Sequence, residues 1–174
     1  MFSDPQKNIK QFGLEEGMVV ADFGAGAGAY ALVLAKRVGS TGKVFAVDVQ
    51  KDLLAKLANS AKMEGLNNIE IIWGDIDEEY GSRLKEASLD AVVVSNILFQ
   101  VEKKENLVKE TKRVLKPGGR VLVVDWSESH GGLGPRPEDV ILEKTTREMF
   151  EKIGFSYEDN IDAGNYHYGM ILKN

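Results

Sequence analysis

Short apolar runs rich in Val and Ile recur along the chain at residues 18–23 (MVVADF), 43–49 (KVFAVDV), 69–75 (IEIIWGD), 89–96 (LDAVVVSN) and 120–126 (RVLVVDW), each bounded by Gly, Asp or Asn. Their length and β-branched content predict strands, and near-continuous apolarity predicts strands covered on both faces. Helical spacing separates them. In residues 51–65, Leu53, Leu54, Leu57, Ala58 and Ala61 form one apolar stripe, with Lys51, Lys56 and Lys62 outside it and Gly65 as a stop. Residues 102–119 place Leu107, Val108, Thr111, Val114 and Leu115 on one side and Glu105 and Lys109 on the other, before Pro117 and the Gly118–Gly119 turn. A third helix is expected within residues 137–154.

Strands alternating with helices predict an α/β fold, a Rossmann-like and mostly parallel sheet with right-handed crossovers and helices on both faces. The end of the chain breaks the rhythm. FSYEDNID and YHYGMILK are separated only by AGN, residues 163–165. That is too short for a parallel crossover and suits an antiparallel hairpin. Seven strands are therefore expected, one of them reversed.

Composition narrows the class. The 174 residues suit one domain, and no apolar stretch approaches the roughly 20 residues of a membrane span. The opening MFSDPQKNIK lacks a basic-then-apolar signal pattern, so a cytoplasmic location is the expectation. With no cysteine there is no disulfide framework, thiolate nucleophile or Cys-based metal site, and the two histidines alone do not make one. A net charge of -5 weighs against an extended nucleic-acid footprint.

The chemistry concentrates in ADFGAGAGAY, residues 21–30, where a strand ends near Phe23 and a helix is expected near Ala29. In such sheets ligands sit at the carboxyl ends of the strands. Gly24, Gly26 and Gly28 let the backbone turn and approach a ligand, and Ala25, Ala27 and Ala29 keep the other side chains small. Gly24, Gly26 and Ala29 also satisfy the looser dinucleotide pattern with Asp48 downstream, which keeps an NAD(P)-binding oxidoreductase as an alternative. Asp22 discriminates. A carboxylate two residues before the first Gly repels a pyrophosphate and attracts an ammonium or a sulfonium.

With Asp22, Gly24, Gly26 and Gly28 in the order acid, any, Gly, any, Gly, any, Gly, the chain resembles a class I S-adenosylmethionine-dependent methyltransferase. The resemblance continues at Asp48, Asp75, Asn96 and the KPGG before the fifth strand. The run SNILFQV, the DW after strand five and the final hairpin are similar to small bacterial and archaeal members related to quinone-biosynthesis methyltransferases. The resemblance implies S-adenosylmethionine as cofactor, held by Asp22, Gly24, Ala25, Gly26, Gly28, Asp48, Val49, Gly74, Asp75, Ile76, Ser95 and Asn96. Asp48 would accept both ribose hydroxyls. Asp75 would accept the adenine amino group, with Ile76 along the ring. Asn96 would contact the methionine portion or cap a loop.

Methyl transfer from a sulfonium is an in-line displacement in which alignment dominates and a general base is optional. His167 and His130 are the candidate bases, with a solvated or hydrogen-bonded histidine as the bland rival. Four stretches are expected around the methyl group: residues 2–5, 95–100, 126–137 and 163–168, bringing Phe99, Trp126, Tyr166 and His167 toward an acceptor. The loop 127–137, with three Gly and two Pro, is a candidate lid. SNIL stands where an NPPY-type motif would mark amide or adenine nitrogen as the acceptor. A small-molecule acceptor is the main expectation, with protein or RNA, and a cofactor-binding protein without turnover, as alternatives. With about 17 residues before strand one, little N-terminal cap is expected. The acceptor pocket is then open, completed by a partner subunit in a homo-oligomer, or shaped for something large.

Overall fold

The computed structural model describes residues 3–174, and seven strands form its single sheet. In chain order the elements are α1 (Pro5–Phe12), β1 (Val19–Phe23), α2 (Ala31–Val38), β2 (Lys43–Asp48), α3 (Lys51–Met63), β3 (Ile69–Trp73), β4 (Leu89–Ser95), α4 (Lys104–Val114), β5 (Leu115–Trp126), α5 (Glu143–Glu151), β6 (Ser156–Asn160) and β7 (His167–Lys173). The strand order is β3-β2-β1-β4-β5-β7-β6, with β1 to β5 parallel and β7 antiparallel to both neighbours. The reversed strand therefore slots in second from the edge, and β6 closes the sheet beyond it.

Alternation along the central strands divides the core into two layers. Ala21 and Phe23, Val92 and Val94, and Val121 and Val123 face α4 and α5; Val20, Ala91 and Val93, and Leu122 and Val124 face α1, α2 and α3. Every one of these side chains is at most 1% exposed. Covering both faces explains why the runs read as uninterrupted apolar stretches: each buried Val or Leu contributes about 1.5–3 kcal/mol over an exposed one, so neither face tolerates a polar residue cheaply.

Three boundaries differ from the sequence expectation. Residues 5–12 form α1, with Asp4 accepting the Gln6 N–H at 2.9 Å, Pro5 in the first turn and Gly13 at φ 68° ending it. The Asp-Pro start and Gly stop are capping signals, and Ile9 and Phe12 are the face it buries. The segment before β1 is thus a folded cap. Lys7 (2.6 Å) and Gln11 fasten it to Asp162 between β6 and β7. Next, α4 ends at Val114 and KPGG belongs to β5, because Pro117 bars helix from the residue before it. The expected 137–154 helix begins only at Glu143, after a short 3-10 turn at 137–139 and an extended stretch. Along α3, Ala58 is exposed rather than part of the buried stripe.

The connection from β3 to β4 is long and pinned. Buried Glu110 of α4 accepts from the Ser82 hydroxyl and N–H and from Arg113, which also reaches the Leu84 carbonyl at 2.8 Å. That network holds the far part of the loop after β3 against α4, while the loop's first residues, 74–77, line the cleft described next.

Candidate functional site

The carboxyl ends of β1, β2, β3 and β4 converge on a cleft with two lobes. One, about 300 Å³, is lined by Gly24, Gly26, Val47, Asp48, Val49, Gln50, Leu53, Gly74, Asp75, Ile76, Asp77, Asn96, Ile97, Gln100 and Val101. The other, about 380 Å³, is lined by Ser3, Pro5, Asp22, Gly24, Ala25, Gly26, Ala27, Ala29, Tyr30, Ser95 and Asn96. Gly24, Gly26 and Asn96 belong to both, so the lobes form one continuous groove over the glycine turn. Of the twelve residues expected to hold the cofactor, eleven line it. Gly28 does not.

The glycines divide by what they meet. A Cβ on Gly24 would overlap Ile97 Cδ1, and one on Gly28 would overlap Leu57 Cδ1. Protein side chains already fill those spaces. Gly26 differs: the nearest atom to its would-be Cβ, Leu53 Cδ1, is 4.0 Å away, and the residue faces the groove. All three have positive φ (75°, 53° and 98°), which a residue with a Cβ adopts at a cost of about 1–2 kcal/mol. The bareness of the stretch therefore serves packing at two positions and the open groove at one.

Four N–H groups of this turn are satisfied within the protein. Gly24 and Ala25 donate to the Val47 carbonyl at 2.9 and 3.0 Å, Gly26 to Asp48 Oδ2 at 2.8 Å and Gly28 to the Ala25 carbonyl at 2.9 Å. A phosphate cradle needs such donors free. The charge points the same way: the groove lining carries Asp22, Asp48, Asp75 and Asp77 and, among the described residues, no Lys, Arg or His. An anionic ligand would meet repulsion and find the N–H groups of Gly24, Ala25, Gly26 and Gly28 already engaged; a cationic or neutral one meets acceptors.

In the first lobe those acceptors are already anchored. Asp48 Oδ1 accepts from Gln50 N–H and Oδ2 from Gly26 N–H, both at 2.8 Å, so the carboxylate is fixed with lone pairs remaining toward the groove. Asp75 Oδ1 accepts the Asp77 N–H at 3.0 Å, an Asx turn that orients the side chain at the rim. Ile76 is 6% exposed beneath it. The bland capping and turn roles are both present and leave the cleft-facing oxygens available.

The second lobe is different. Asp22 Oδ2, Ser95 Oγ and Asn96 Oδ1 are buried without a hydrogen-bond partner among the described residues. Burial pushes the Asp22 carboxyl up to about 7, the Ala31 N–H at the head of α2 pulling against it and the Asp48 charge adding to it. Asn96 sits at φ 54°, a left-handed conformation that Asn tolerates better than most residues. Tyr30 closes the lobe toward α1, its hydroxyl accepting from Asn8 Nδ2 at 2.7 Å.

Both histidines lie outside the lining of either lobe. His167 begins β7 opposite Trp126, on the sheet face shared by Asp22 and Ser95, with its ring 4.3 Å from that of Trp126. It is 8% exposed, its Nδ1 has no partner among the described residues, and burial lowers its pKa, so the imidazole is neutral at neutral pH. His130 is exposed and stacks on Tyr166 at 3.9 Å. Within the 127–137 loop, Gly134 lies flat on the Trp126 indole, where a Cβ would come within 2.7 Å of the ring. Phe99 is half-buried and lines neither lobe. Ser3 and Pro5 reach the groove, while Phe2 of that stretch is outside the described residues.

Sequence reasoning missed Val47, Gln50, Leu53, Asp77, Val101 and Tyr30 as lining residues, and it placed Ile97 and Gln100 only as part of the 95–100 stretch expected around the methyl group. Asp77 and Tyr30 stand inside or beside the motifs that carry the chemistry. Ile97 and Gln100 were legible only as part of that stretch, and Val101 carries no signal of its own, because only the turn after β4 aims them.

A family profile described as a methyltransferase domain matches residues 14–166. The chain belongs to this methyltransferase family. It is 32% identical over 120 residues to the demethylmenaquinone methyltransferase of Staphylococcus aureus, covering 69% of this chain and 48% of that protein. It is 28% identical over 137 residues to the arsenite methyltransferase of Halobacterium salinarum, covering 78% of this chain and 33% of that one. The chain thus spans about half or less of the length of these relatives. Among solved structures it superposes on a SAM-dependent methyltransferase from Aquifex aeolicus with a TM-score of 0.89 and 31% identity, covering 99% of this chain and 90% of that one. S-adenosylmethionine is the cofactor that membership implies, and the groove fits it on its own terms: an acidic, cation-free lining with three buried acceptors left unpaired among the described residues. No group of three or more metal-ligating side chains occurs among the described residues, and no helix there is long and apolar enough to cross a membrane.

Proposed function

We propose that the chain transfers the methyl group of S-adenosylmethionine to a small, ring-bearing acceptor. The observation that carries the donor half is the second lobe, where Asp22 Oδ2, Ser95 Oγ and Asn96 Oδ1 are unpaired among the described residues, beside a turn whose glycine N–H groups are already bonded. Buried acceptors left unpaired cost free energy, and a ligand with an ammonium and a sulfonium relieves it. When bound, that ligand supplies an activated methyl carbon. Asp48 would hold the ribose hydroxyls, Asp75 and Ile76 the adenine, and Asp22, Ser95 and Asn96 the amino-acid end, with Gly24, Ala25, Gly26, Val49 and Gly74 shaping the floor and Gly28 keeping α3 in place.

The acceptor half rests on the row Asp22, Ser95, Trp126, His167, four residues on one sheet face at the carboxyl ends of β1, β4 and β5 and the start of β7. It leads from the acidic lobe to the tilted Trp126–His167 ring pair, which suits a flat acceptor such as the quinones named in relatives. His167, neutral at neutral pH, is placed to take a proton from an acceptor that must lose one; His130, exposed on Tyr166, would bind or shield. The arsenite named in another relative fits less well, since As(III) seeks thiolates and the sequence has no cysteine. The chain forms its own cleft, so a homo-oligomer would complete only the acceptor side. A cytoplasmic setting is part of the same reading.

Calorimetric titration with S-adenosylhomocysteine, and with NADH in parallel, tests the donor half. Saturable binding of the thioether alone supports the proposal, and binding of NADH alone ends it. A screen of hydroquinones and phenols against protein and RNA acceptors, reading radiolabelled methyl, tests the acceptor half.

A further inference from the structure

Residues 96–103, the segment from β4 to α4, wall the first lobe and touch the second at Asn96, and two carboxylates from different parts of the fold hold the segment's ends. Asn96 N–H donates to the Val124 carbonyl at 2.9 Å, and the chain then turns at φ 54°. At once Asp125 takes over: its Oδ2 accepts the N–H groups of Ile97 (3.1 Å) and Leu98 (2.9 Å), while Oδ1 accepts that of Trp126 (2.8 Å). At the far end Asp77 accepts the N–H groups of Glu102 (3.1 Å) and Lys103 (2.9 Å), and its carbonyl accepts from Asn106 Nδ2 (2.6 Å). Between the clamps, Ile97, Gln100 and Val101 face the groove, and Ile97 fills the space above Gly24.

We propose that Asp125 is the positioning residue of the donor site, its ionised carboxylate setting the turn that seats Ile97 on Gly24, with Asp77 as the second clamp. Asp125 lines neither lobe; it acts through three backbone N–H groups. Only a carboxylate serves all three, because an asparagine offers one acceptor oxygen and turns an N–H donor toward the others.

The surroundings make this clamp sensitive to protonation. Asp125 is 2% exposed, and burial pushes its carboxyl up to about 6, against the pull of the Trp126, Leu98 and Ile97 N–H groups and of Lys104. The facing groups are Lys104 from α4, Tyr168 from β7, which burial keeps neutral, and Glu143 of α5 beside that tyrosine. His167 lies on the opposite face of the sheet. Protonated Asp125 cannot accept three N–H bonds equally, so the wall loosens as pH falls through about 6.

The inference rests on the methyl-donor reading only for its binding probe, S-adenosylhomocysteine. Two readouts on ¹⁵N-labelled protein test it. Without ligand, the Ile97 and Leu98 amide resonances are expected to move together with a midpoint near 6 and to lose it in Asp125→Asn. By calorimetry, Asp125→Asn binds S-adenosylhomocysteine about tenfold more weakly at pH ~7.5, a gap that narrows to about threefold at pH ~5.5, where most of the wild-type carboxyl is protonated. Asp77→Asn weakens binding about threefold with the midpoint intact. Asp22 adds its own pH dependence near 7, which survives in Asp125→Asn. Static Ile97 and Leu98 amides, or wild-type affinity in folded Asp125→Asn at the higher pH, overturn the inference. If Asp125→Asn does not fold, the wild-type amide titration decides alone. If the wild type ignores S-adenosylhomocysteine, the donor reading fails and the amides still judge Asp125.

Discussion

The two lobes of the groove are built from the same kinds of residue and solved in opposite ways. Around the first, the carboxylates of Asp48, Asp75 and Asp77 are each tied to backbone N–H groups or bind the neighbouring segment in place. Around the second, Asp22 Oδ2, Ser95 Oγ and Asn96 Oδ1 are buried and unmatched among the described residues. A satisfied carboxylate is a rigid template that recognises by shape; an unsatisfied one carries a free-energy penalty that a complementary charge relieves. On the proposed function, the first lobe is preorganised for a neutral, hydroxyl-bearing group and the second is tuned for positive charge.

The sharpest way to break this contrast is at the glycines that join the lobes. Gly24→Ala should lose more than about 3 kcal/mol of stability in urea unfolding, because the Cβ meets Ile97 and φ is positive, whereas Gly26→Ala should lose only about 1–2 kcal/mol. Equal losses would mean that Ile97 is not seated as described.

Next in size is the template itself. Asp48→Ala should weaken S-adenosylhomocysteine binding by about 1–3 kcal/mol, removing both the proposed ribose acceptor and the anchor of Gly26 N–H. Unchanged affinity by calorimetry would take Asp48 out of the site.

Asp22 tests the other lobe through linkage. Its folded pKa of about 7 lies above the ordinary value of 3.8, so the free protein holds a proton between those values that the unfolded chain has lost. That contribution to stability is complete below about 4 and disappears as pH rises through about 7. Asp22→Asn should accordingly stabilise the free protein by about 1–2 kcal/mol at pH ~8 and by less at pH ~6, while weakening affinity for the ammonium-bearing ligand. A variant that gains no stability at the higher pH would show that the unpaired oxygen carries no cost. For the cationic ligand the wild-type affinity should fall as pH drops through about 7, since only the ionised carboxylate attracts it.

The smallest expected effect is at His167. Substitution by Gln should change stability by less than about 1 kcal/mol and, once an acceptor is found, flatten the acid limb of the rate profile. An unchanged profile would leave His167 as a packing partner of Trp126.

Much of the architecture was legible because burial on both faces writes itself into composition. Residues 89–96 and 120–126 read as strands without any alternation of polar and apolar positions, since each of Ala91, Val92, Val93 and Val94 faces one helix layer or the other. Asp22, Asp48 and Asp75 were legible because a polar residue closing such a run marks the sheet's carboxyl edge, where ligands bind. Residues 5–12 were passed over although Asp4, Pro5 and Gly13 frame them, since eight residues with two apolar anchors give little periodic signal.

By itself the sequence determined which residues become strands, that the sheet is parallel until its final hairpin, and where the acidic glycine turn falls, all consequences of local patterning and chain length. Only the tertiary structure decided what each glycine is for, which acceptors remain unpaired, and that Asp125 and Asp77 clamp a common wall. Those facts depend on side chains such as Ile97 and Leu57 arriving from distant segments, and no local pattern records which neighbour a folded backbone will meet.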